Sequence, residues 1–309
     1  MIKIENLTKF YGERLAVDDI SFNIERGEVV GFLGPNGAGK TTTMRAITGY
    51  LMPTDGEIWV ADYNMRKDPL KGRQQIGYLP ETIPLYTDMS TRAYLRFVAR
   101  LRGLDRKKAQ KRIDEVVELC RLEEYINVLT GKLSKGFRQR VGLAQAIIHD
   151  PEVLILDEPT VGIDPLQVVQ TKELIKELGR KRTILLSTHI LPEVNLICER
   201  VIIIHQGRIV AEDSIENLSS ILEGRQRLRL KINGPVDEVT ENLSKINALS
   251  EVSYRDPYYL LEFPIDQEPQ NEINQMLTRG GWTLLSMEAV ELSLEDIFVK
   301  LTSKREEEQ

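Results

Sequence analysis

The sequence predicts an α/β fold with a parallel sheet, followed by a smaller α+β unit. Short apolar strands begin at Glu28, Val153, Thr183 and Val201, and helical patterns lie between them. This alternation is typical of parallel strands, because the chain must cross over before it can return in the same direction. The chain has 309 residues and is 41% hydrophobic, which is enough apolar material for a full core and predicts two domains.

A glycine-rich loop joins the strand Glu28–Leu33 to a helical pattern. Residues 34–41 fit the Walker A template of glycine, four variable residues, glycine, lysine and threonine. Glycines let backbone N–H groups converge, and the helix start adds positive potential, so the loop is expected to bind polyphosphate. Lys40 should reach the terminal phosphates, and the Thr41 hydroxyl should bind Mg²⁺. The predicted ATP-binding residues in this segment are Gly34, Pro35, Asn36, Gly37, Ala38, Gly39, Lys40, Thr41 and Thr42.

Two carboxylates follow the apolar run Val153–Leu156, where a central parallel strand would deliver them to the carboxyl edge of the sheet. Asp157 is predicted to hold Mg²⁺. Glu158 is predicted to be the general base that orients or deprotonates the attacking water. Transporters, GTPases, kinases and helicases all use a Walker A loop, so other motifs are needed to distinguish these classes.

The segment Leu133–Arg140 precedes a helical pattern and contains Ser134 and Gly136. Here the chain resembles the ATP-binding subunits of ABC transporters. In that family the signature segment contacts the ATP that the other subunit holds, and Ser134 and Gly136 match the contacting positions. Lys135 and Phe137 replace the usual glycine and glutamine, so the match is partial. Taken alone, Ser134 is typical of an ordinary helix N-cap.

The resemblance implies roles for four more residues. Tyr11 matches the aromatic residue that stacks on adenine, and His189 matches the switch histidine that senses the γ-phosphate. Asp164 lies in the loop that couples the two sites across the dimer. Glu81 replaces a glutamine that contacts Mg²⁺ and links the nucleotide to the membrane partner. A carboxylate can still bind this cation, and we expect a stronger dependence on Mg²⁺.

The pattern places an ABC nucleotide-binding domain at residues 1–213, with a helical subdomain at about 84–150, and a linker helix at 214–226. Helical spacing runs from Thr91 to Leu122. Residues 227–309 are predicted to form an α+β accessory domain with the order βαββαβ, which is the ferredoxin-like plan. The segment Ser293–Thr302 resembles the C-terminal helix of ABC-2-type exporter ATPases, and a charged, solvated tail follows it.

Composition limits the partners and the compartment. The chain has 41 basic and 47 acidic residues, a net charge of −6, so no nucleic-acid partner is expected. Cys120 and Cys198 lie in apolar patterns and are expected to be buried thiols in a reducing compartment. Neither a secretory signal nor an apolar run of membrane-spanning length is found in the sequence. The predicted location is therefore peripheral, on the cytoplasmic face of the inner membrane.

These motifs predict an ATPase that dimerises with a second ATPase subunit and powers export by a separate multispanning permease. The resemblance is to sodium or drug efflux systems and to gliding-motility-associated systems. A soluble mechanoenzyme acting on ribosomes or DNA is an alternative, although such proteins usually carry two nucleotide units or long coiled coils. The C-terminal unit is also a candidate ligand-sensing module that regulates hydrolysis.

Overall fold

The computed structural model describes residues 1–190, 194, 197–214, 225–264 and 266–290. The chain divides into two compact units; the described residues up to 214 belong to the first and those from 225 to the second. Each unit has its own hydrophobic core. No helix among the described residues is long and apolar enough to cross a membrane.

The first unit alternates strands and helices after an initial hairpin. In chain order the elements are β1 (Ile2–Tyr11), β2 (Arg14–Ile24), β3 (Val29–Leu33), α1 (Lys40–Ile47), β4 (Asp55–Val60), β5 (Tyr63–Asn64), α2 (Pro69–Gln74), β6 (Ile76–Leu79), α3 (Thr91–Leu101), α4 (Arg106–Leu119), α5 (Lys135–Ile147), β7 (Val153–Asp157), α6 (Pro165–Gly179), β8 (Thr183–Thr188), β9 (Arg200–His205) and β10 (Arg208–Ser214).

A six-stranded sheet in the order β10-β9-β3-β8-β7-β6 carries the predicted parallel strands. β3 and β6 to β9 are parallel, and β10 pairs antiparallel with β9 at one edge. Every residue of β3, β7 and β8 is buried. Burial on both faces explains why these strands are continuous apolar runs in the sequence. The predicted parallel sheet is confirmed.

A second, antiparallel sheet in the order β2-β1-β4-β5 was not predicted. In this sheet β4 pairs with β1 across a long sequence separation, which no local pattern indicates. The main core of this unit includes side chains from both sheets and from α1, such as Ile4, Phe32 and Met44.

The continuous helical pattern from Thr91 to Leu122 is interrupted in the structure. α3 ends at Leu101, and Gly103 follows with a positive φ of 79°. Asp105 then caps α4, because its carboxylate accepts the N–H groups of Lys107 and Lys108 at 3.0 and 2.9 Å. A glycine in the left-handed region followed by an N-cap therefore divides the predicted stretch into two helices.

The second unit contains β11 (Arg225–Asn233), α7 (Val236–Leu243), β12 (Glu251–Arg255), β13 (Tyr258–Pro264), α8 (Gln270–Gly280) and β14 (Thr283–Ala289). The predicted βαββαβ order is confirmed, and the strands form an antiparallel sheet in the order β12-β13-β11-β14. Alternate residues of β11 and β13, such as Leu230 and Leu261, pack with α7 and α8 in one core.

Several predicted segments fall partly or wholly outside the described residues. Of the linker helix predicted at 214–226, Ser214 lies in β10 and residues 225–226 lie in β11, so both of its ends were wrong. Its remainder, the segment Ser293–Thr302 and the charged tail lie outside the described part of the chain. Cys120 and Cys198 are buried free thiols, as expected, and burial raises the pKa of each to about 12.

Candidate nucleotide site

The loop 34–39 lies between β3 and α1, in the strand, loop and helix order that the motif requires. Gly37 and Gly39 have φ angles of 82° and 113°, which glycine adopts without steric cost. Gly34 is needed for another reason, because a Cβ there would lie 2.3 Å from the carbonyl oxygen of Ile204. The sequence thus permits a tightly curled backbone against the end of the parallel sheet.

Lys40 is the first residue of α1, and only 6% of its surface is exposed. Its Nζ donates to the carbonyl oxygen of Gly34 at 2.7 Å and contacts that of Pro35 at 3.3 Å. The same atom lies 3.2 Å from Glu158 Oε1, and Glu158 is equally buried. The ammonium therefore lies between its own loop and the carboxylate that follows β7.

Ser187 links the two carboxylates at the end of β7. Its hydroxyl donates to Asp157 Oδ1 at 2.6 Å and accepts the Glu158 N–H at 3.0 Å. In the sheet register Ser187 lies directly opposite Asp157. Burial raises the pKa of Asp157 above its ordinary value, and the hydrogen bonds from Ser187 and Thr41 partly oppose that rise. The neighbouring charges of Glu158 and Glu81 raise it further.

Glu158 has a left-handed backbone with a φ of 50°. A non-glycine residue in this region costs on the order of 1–3 kcal/mol and persists where its surroundings fix it. The Glu158 N–H is bound by both the carbonyl and the hydroxyl of Ser187, and His189 Nδ1 lies 3.0 Å from Glu158 Oε2. The turn after β7 therefore holds the carboxylate between Lys40 and His189.

These groups meet at a cavity of about 400 Å³. The predicted site residues that line it are Tyr11, Asn36, Gly37, Gly39, Lys40, Thr41, Thr42, Glu81, Glu158 and His189. Thr41 Oγ1 donates to Asp157 Oδ1 at 3.4 Å beside the cavity. Hydroxyl and carboxylate oxygens are the donors that Mg²⁺ prefers, and Glu81 supplies another, so the residues present fit a bound Mg²⁺.

The predicted site residues that do not line this cavity are Gly34, Pro35, Ala38, Asp157, Ser134, Gly136 and Asp164. The first four belong to the loop before α1 or to the end of β7, and the last three lie elsewhere in the fold. Ser134 caps α5, with its hydroxyl accepting the Phe137 N–H at 3.4 Å, and its predicted role in the signature stays a prediction. Asp164 caps α6 and accepts the Gln167 N–H at 3.0 Å. Gly136 is buried beneath Gln167, whose Oε1 would lie 1.2 Å from a Cβ at this position.

Two contributors to the site, Arg14 and Ser187, were not predicted from the sequence. Arg14 begins β2 and lines the cavity opposite Tyr11 in the hairpin register. No motif marks it, because its placement depends on the pairing of β1 with β2. Ser187, near the end of β8, was not predicted to be a site residue. A signal for it did exist, because a polar residue within a fully buried strand needs a hydrogen-bond partner.

Comparison with known proteins agrees with this geometry. The family model described as "ABC transporter" matches residues 17–161. The bacitracin transport ATP-binding protein BcrA of Bacillus licheniformis is 35% identical over 97% of each chain. The linearmycin resistance ATP-binding protein LnrL of Bacillus subtilis is 33% identical over 98% of this chain and 99% of its own.

A solved structure is similar to the chain in its fold. The dimeric ATP-binding cassette MJ0796, in a post-hydrolysis state with ADP and Pi, is 26% identical with a TM-score of 0.65. The match covers 70% of this chain and 99% of the cassette. The loop before α1, the carboxylates after β7 and the full-length relatives agree, and the chain belongs to the ATP-hydrolysing ATP-binding proteins of ABC transporters.

Proposed function

We propose that this chain hydrolyses ATP as the dimeric, energy-supplying subunit of an exporter whose membrane pathway belongs to another polypeptide. The buried contact of Lys40 with Glu158, at the edge of a parallel sheet and beside a cavity of about 400 Å³, carries the proposal. Relatives named for bacitracin transport and linearmycin resistance support efflux as the task. Neither of these names concerns gliding motility, so we favour the efflux group.

The loop and the cavity suggest how ATP is held. Tyr11 is 45% exposed at the cavity, which leaves its ring available to stack on adenine. The backbone of residues 34–39, with Lys40 and the start of α1 at Thr41 and Thr42, would hold the phosphates. To do so, Lys40 must release the carbonyl oxygens of Gly34 and Pro35.

Thr41, Asp157 and Glu81 are the residues that would hold Mg²⁺. When bound, the cation would neutralise charge on the phosphate oxygens. The raised pKa of Asp157 makes its ionisation dependent on the hydroxyls of Ser187 and Thr41, which donate to the same oxygen. These two hydroxyls therefore help to keep the buried Asp157 carboxylate ionised, as a ligand of Mg²⁺ must be.

Glu158 is the proposed general base, and His189 the residue that senses the terminal phosphate. The carboxylate lies in the cavity but is shared between Lys40 and His189. A base in this position can accept a proton from water only after one of these two contacts has opened. The contact with His189 would also fix the position of the carboxylate during that transfer.

Residues away from the cavity would act on the partner. Ser134 is exposed at the start of α5, where a hydroxyl and a helix N-terminus can meet phosphate held by a second subunit. Gly136 and Asp164 lie in the same two capped turns. The solved dimer with ADP and Pi supports a paired arrangement of this kind.

The proposal extends to the domains and the location. Residues 1–213 would form the nucleotide-binding domain, and residues 227–309 an accessory domain that we propose to be ferredoxin-like, since its strand order β12-β13-β11-β14 fits that plan. The subunit would bind a multispanning permease as a peripheral protein on the cytoplasmic face of the inner membrane, without a nucleic-acid partner.

The variant Glu158→Gln tests the proposal. It should bind ATP, favour the dimer and lose nearly all turnover, because an amide of the same shape cannot accept the proton. Glu152→Gln is the matched control: it removes one carboxylate just before β7, from an exposed pair with Arg26 that contributes little. ATPase rates and light scattering with Mg²⁺ and ATP measure both effects. Wild-type turnover in Glu158→Gln would overturn the assignment.

A further inference from the structure

A strongly basic groove lies on the helical part of the first unit, between α3 and the start of α4. Its volume is about 500 Å³, and Arg96, Arg100, Arg106 and Lys107 line it. Between residues 91 and 108 the chain has seven basic residues and one acidic residue, although its net charge is −6. Positive charge is thus concentrated locally in an acidic protein.

The helical period produces this concentration. Arg96 and Arg100 are four residues apart in α3, so their side chains project from the same face. Arg106 and Lys107 begin α4, where the free N–H groups of the helix start add positive potential. Two elements therefore contribute charge to one groove.

The described part of the chain supplies these cations with little counter-charge. Among the residues that the structure describes, no carboxylate pairs with the side chains of Arg96, Arg100 or Arg106. Asp105, the acidic residue of segment 91–108, accepts two N–H groups of α4 and lies 3.9 Å from the ammonium of Lys108. All four lining cations are exposed to solvent. The groove is therefore suited to bind an anion from outside the protein.

We propose that the groove binds the anionic headgroups of phospholipids at a membrane surface. Leu101, the last residue of α3, is adjacent to Arg100 and is 70% exposed. Basic residues beside an exposed apolar side chain are typical of surfaces that lie on anionic leaflets, where the cations meet headgroups and the apolar group enters the interface. The inference goes beyond the proposed function, because a permease alone would suffice to hold such a subunit at the membrane.

Vesicle co-sedimentation of the full chain tests the proposal. The protein should bind vesicles of equal parts phosphatidylcholine and phosphatidylglycerol, bind phosphatidylcholine vesicles far less, and dissociate as salt rises. Each basic residue near such a surface contributes about fivefold to binding, so Arg96→Gln with Arg100→Gln should lower the association constant about 25-fold.

The matched control is Lys176→Gln with Arg180→Gln, which removes two exposed cations at the end of α6. It should retain vesicle binding, and thermal unfolding should show that both double variants are folded. Equal losses in the two double variants, or an absence of binding to the anionic vesicles, would overturn the proposal. Stabilisation by inorganic phosphate beyond that by chloride at equal ionic strength, lost in Arg96→Gln with Arg100→Gln and seen without vesicle binding, would also overturn it and indicate a site for a free anion in the groove. Because the vesicles contain no permease, these results leave the proposed function untouched.

Discussion

Ser187→Ala tests the link between the two carboxylates of the site. The Ser187 side chain is fully buried, and its hydroxyl bonds both Asp157 Oδ1 at 2.6 Å and the Glu158 N–H at 3.0 Å. A hydrogen bond to a charged group contributes about 1.5–3 kcal/mol. The Glu158 N–H keeps the Ser187 carbonyl as an acceptor at 3.2 Å. We therefore expect the free energy of unfolding to fall by about 2 kcal/mol.

The same substitution should also raise the pKa of Asp157. Burial already holds this pKa above its ordinary value, and the Ser187 hydroxyl opposes that rise by donating to the ionised form. Without that donor the carboxylate binds its proton more tightly, so a higher pH is needed to ionise it. The acidic limb of the ATPase pH profile should move to higher pH, and more Mg²⁺ should be required at that end.

Urea unfolding and steady-state ATPase rates across pH measure the two effects separately. Thr183→Val is the matched control, because Thr183 is buried at the other end of β8 and its hydroxyl accepts the Gly27 N–H at 2.9 Å. The control should lose stability and keep the pH profile. If Ser187→Ala lost stability while its acidic limb stayed in place, the proposed coupling between this hydroxyl and the ionisation of Asp157 would be refuted.

Two further predictions concern the loop and the response to acid. Gly34→Ala should lower the thermal midpoint much more than Gly37→Ala, because a Cβ at residue 34 would lie 2.3 Å from a backbone oxygen, whereas one at residue 37 meets no atom within 4 Å. Gly37→Ala costs about 1–2 kcal/mol of backbone strain alone. Equal thermal midpoints in the two variants would contradict the predicted clash at residue 34. Burial lowers the pKa of His149 to about 4 from 6.5, so unfolding takes up a proton between these values and stability falls as the pH falls through that range. In urea unfolding, His149→Gln should flatten this dependence by up to about 1.4 kcal/mol per pH unit, and an unchanged slope would assign the proton to another group.

Local chemistry explains which parts of the site could be predicted from the sequence. Lys40 and Glu158 each belong to a short motif next to a strand that is buried on both faces, and the structure places them 3.2 Å apart. Arg14 reaches the cavity only through the hairpin of β1 with β2, which no local pattern marks. Residues proposed to act on a second subunit, such as Ser134, remain predictions because their ligand lies outside the chain.

The fold shows the same division between local and distant information. Fully buried strands such as β7 were predicted because their apolar runs are continuous. The sheet that contains β1 and β4 was missed because Lys3 faces Trp59 across more than 50 intervening residues. The break between α3 and α4 could have been predicted, because Gly103 is a helix stop signal and Asp105 is a helix start signal. It was missed because the spacing of apolar residues looks helical on both sides of the break.

The position of Lys40 has a consequence for the protein between turnovers. Its ammonium is shared by two backbone oxygens and the Glu158 carboxylate, which also touches His189. Lys40 and Glu158 thus balance each other's charge, and the proposed base is already in contact with two side chains. An incoming nucleotide must first replace these internal contacts of Lys40. The measured free energy of binding is therefore the difference between the contacts that the nucleotide makes and those that it displaces. The same contacts keep the Glu158 carboxylate from acting as a base while no nucleotide is bound.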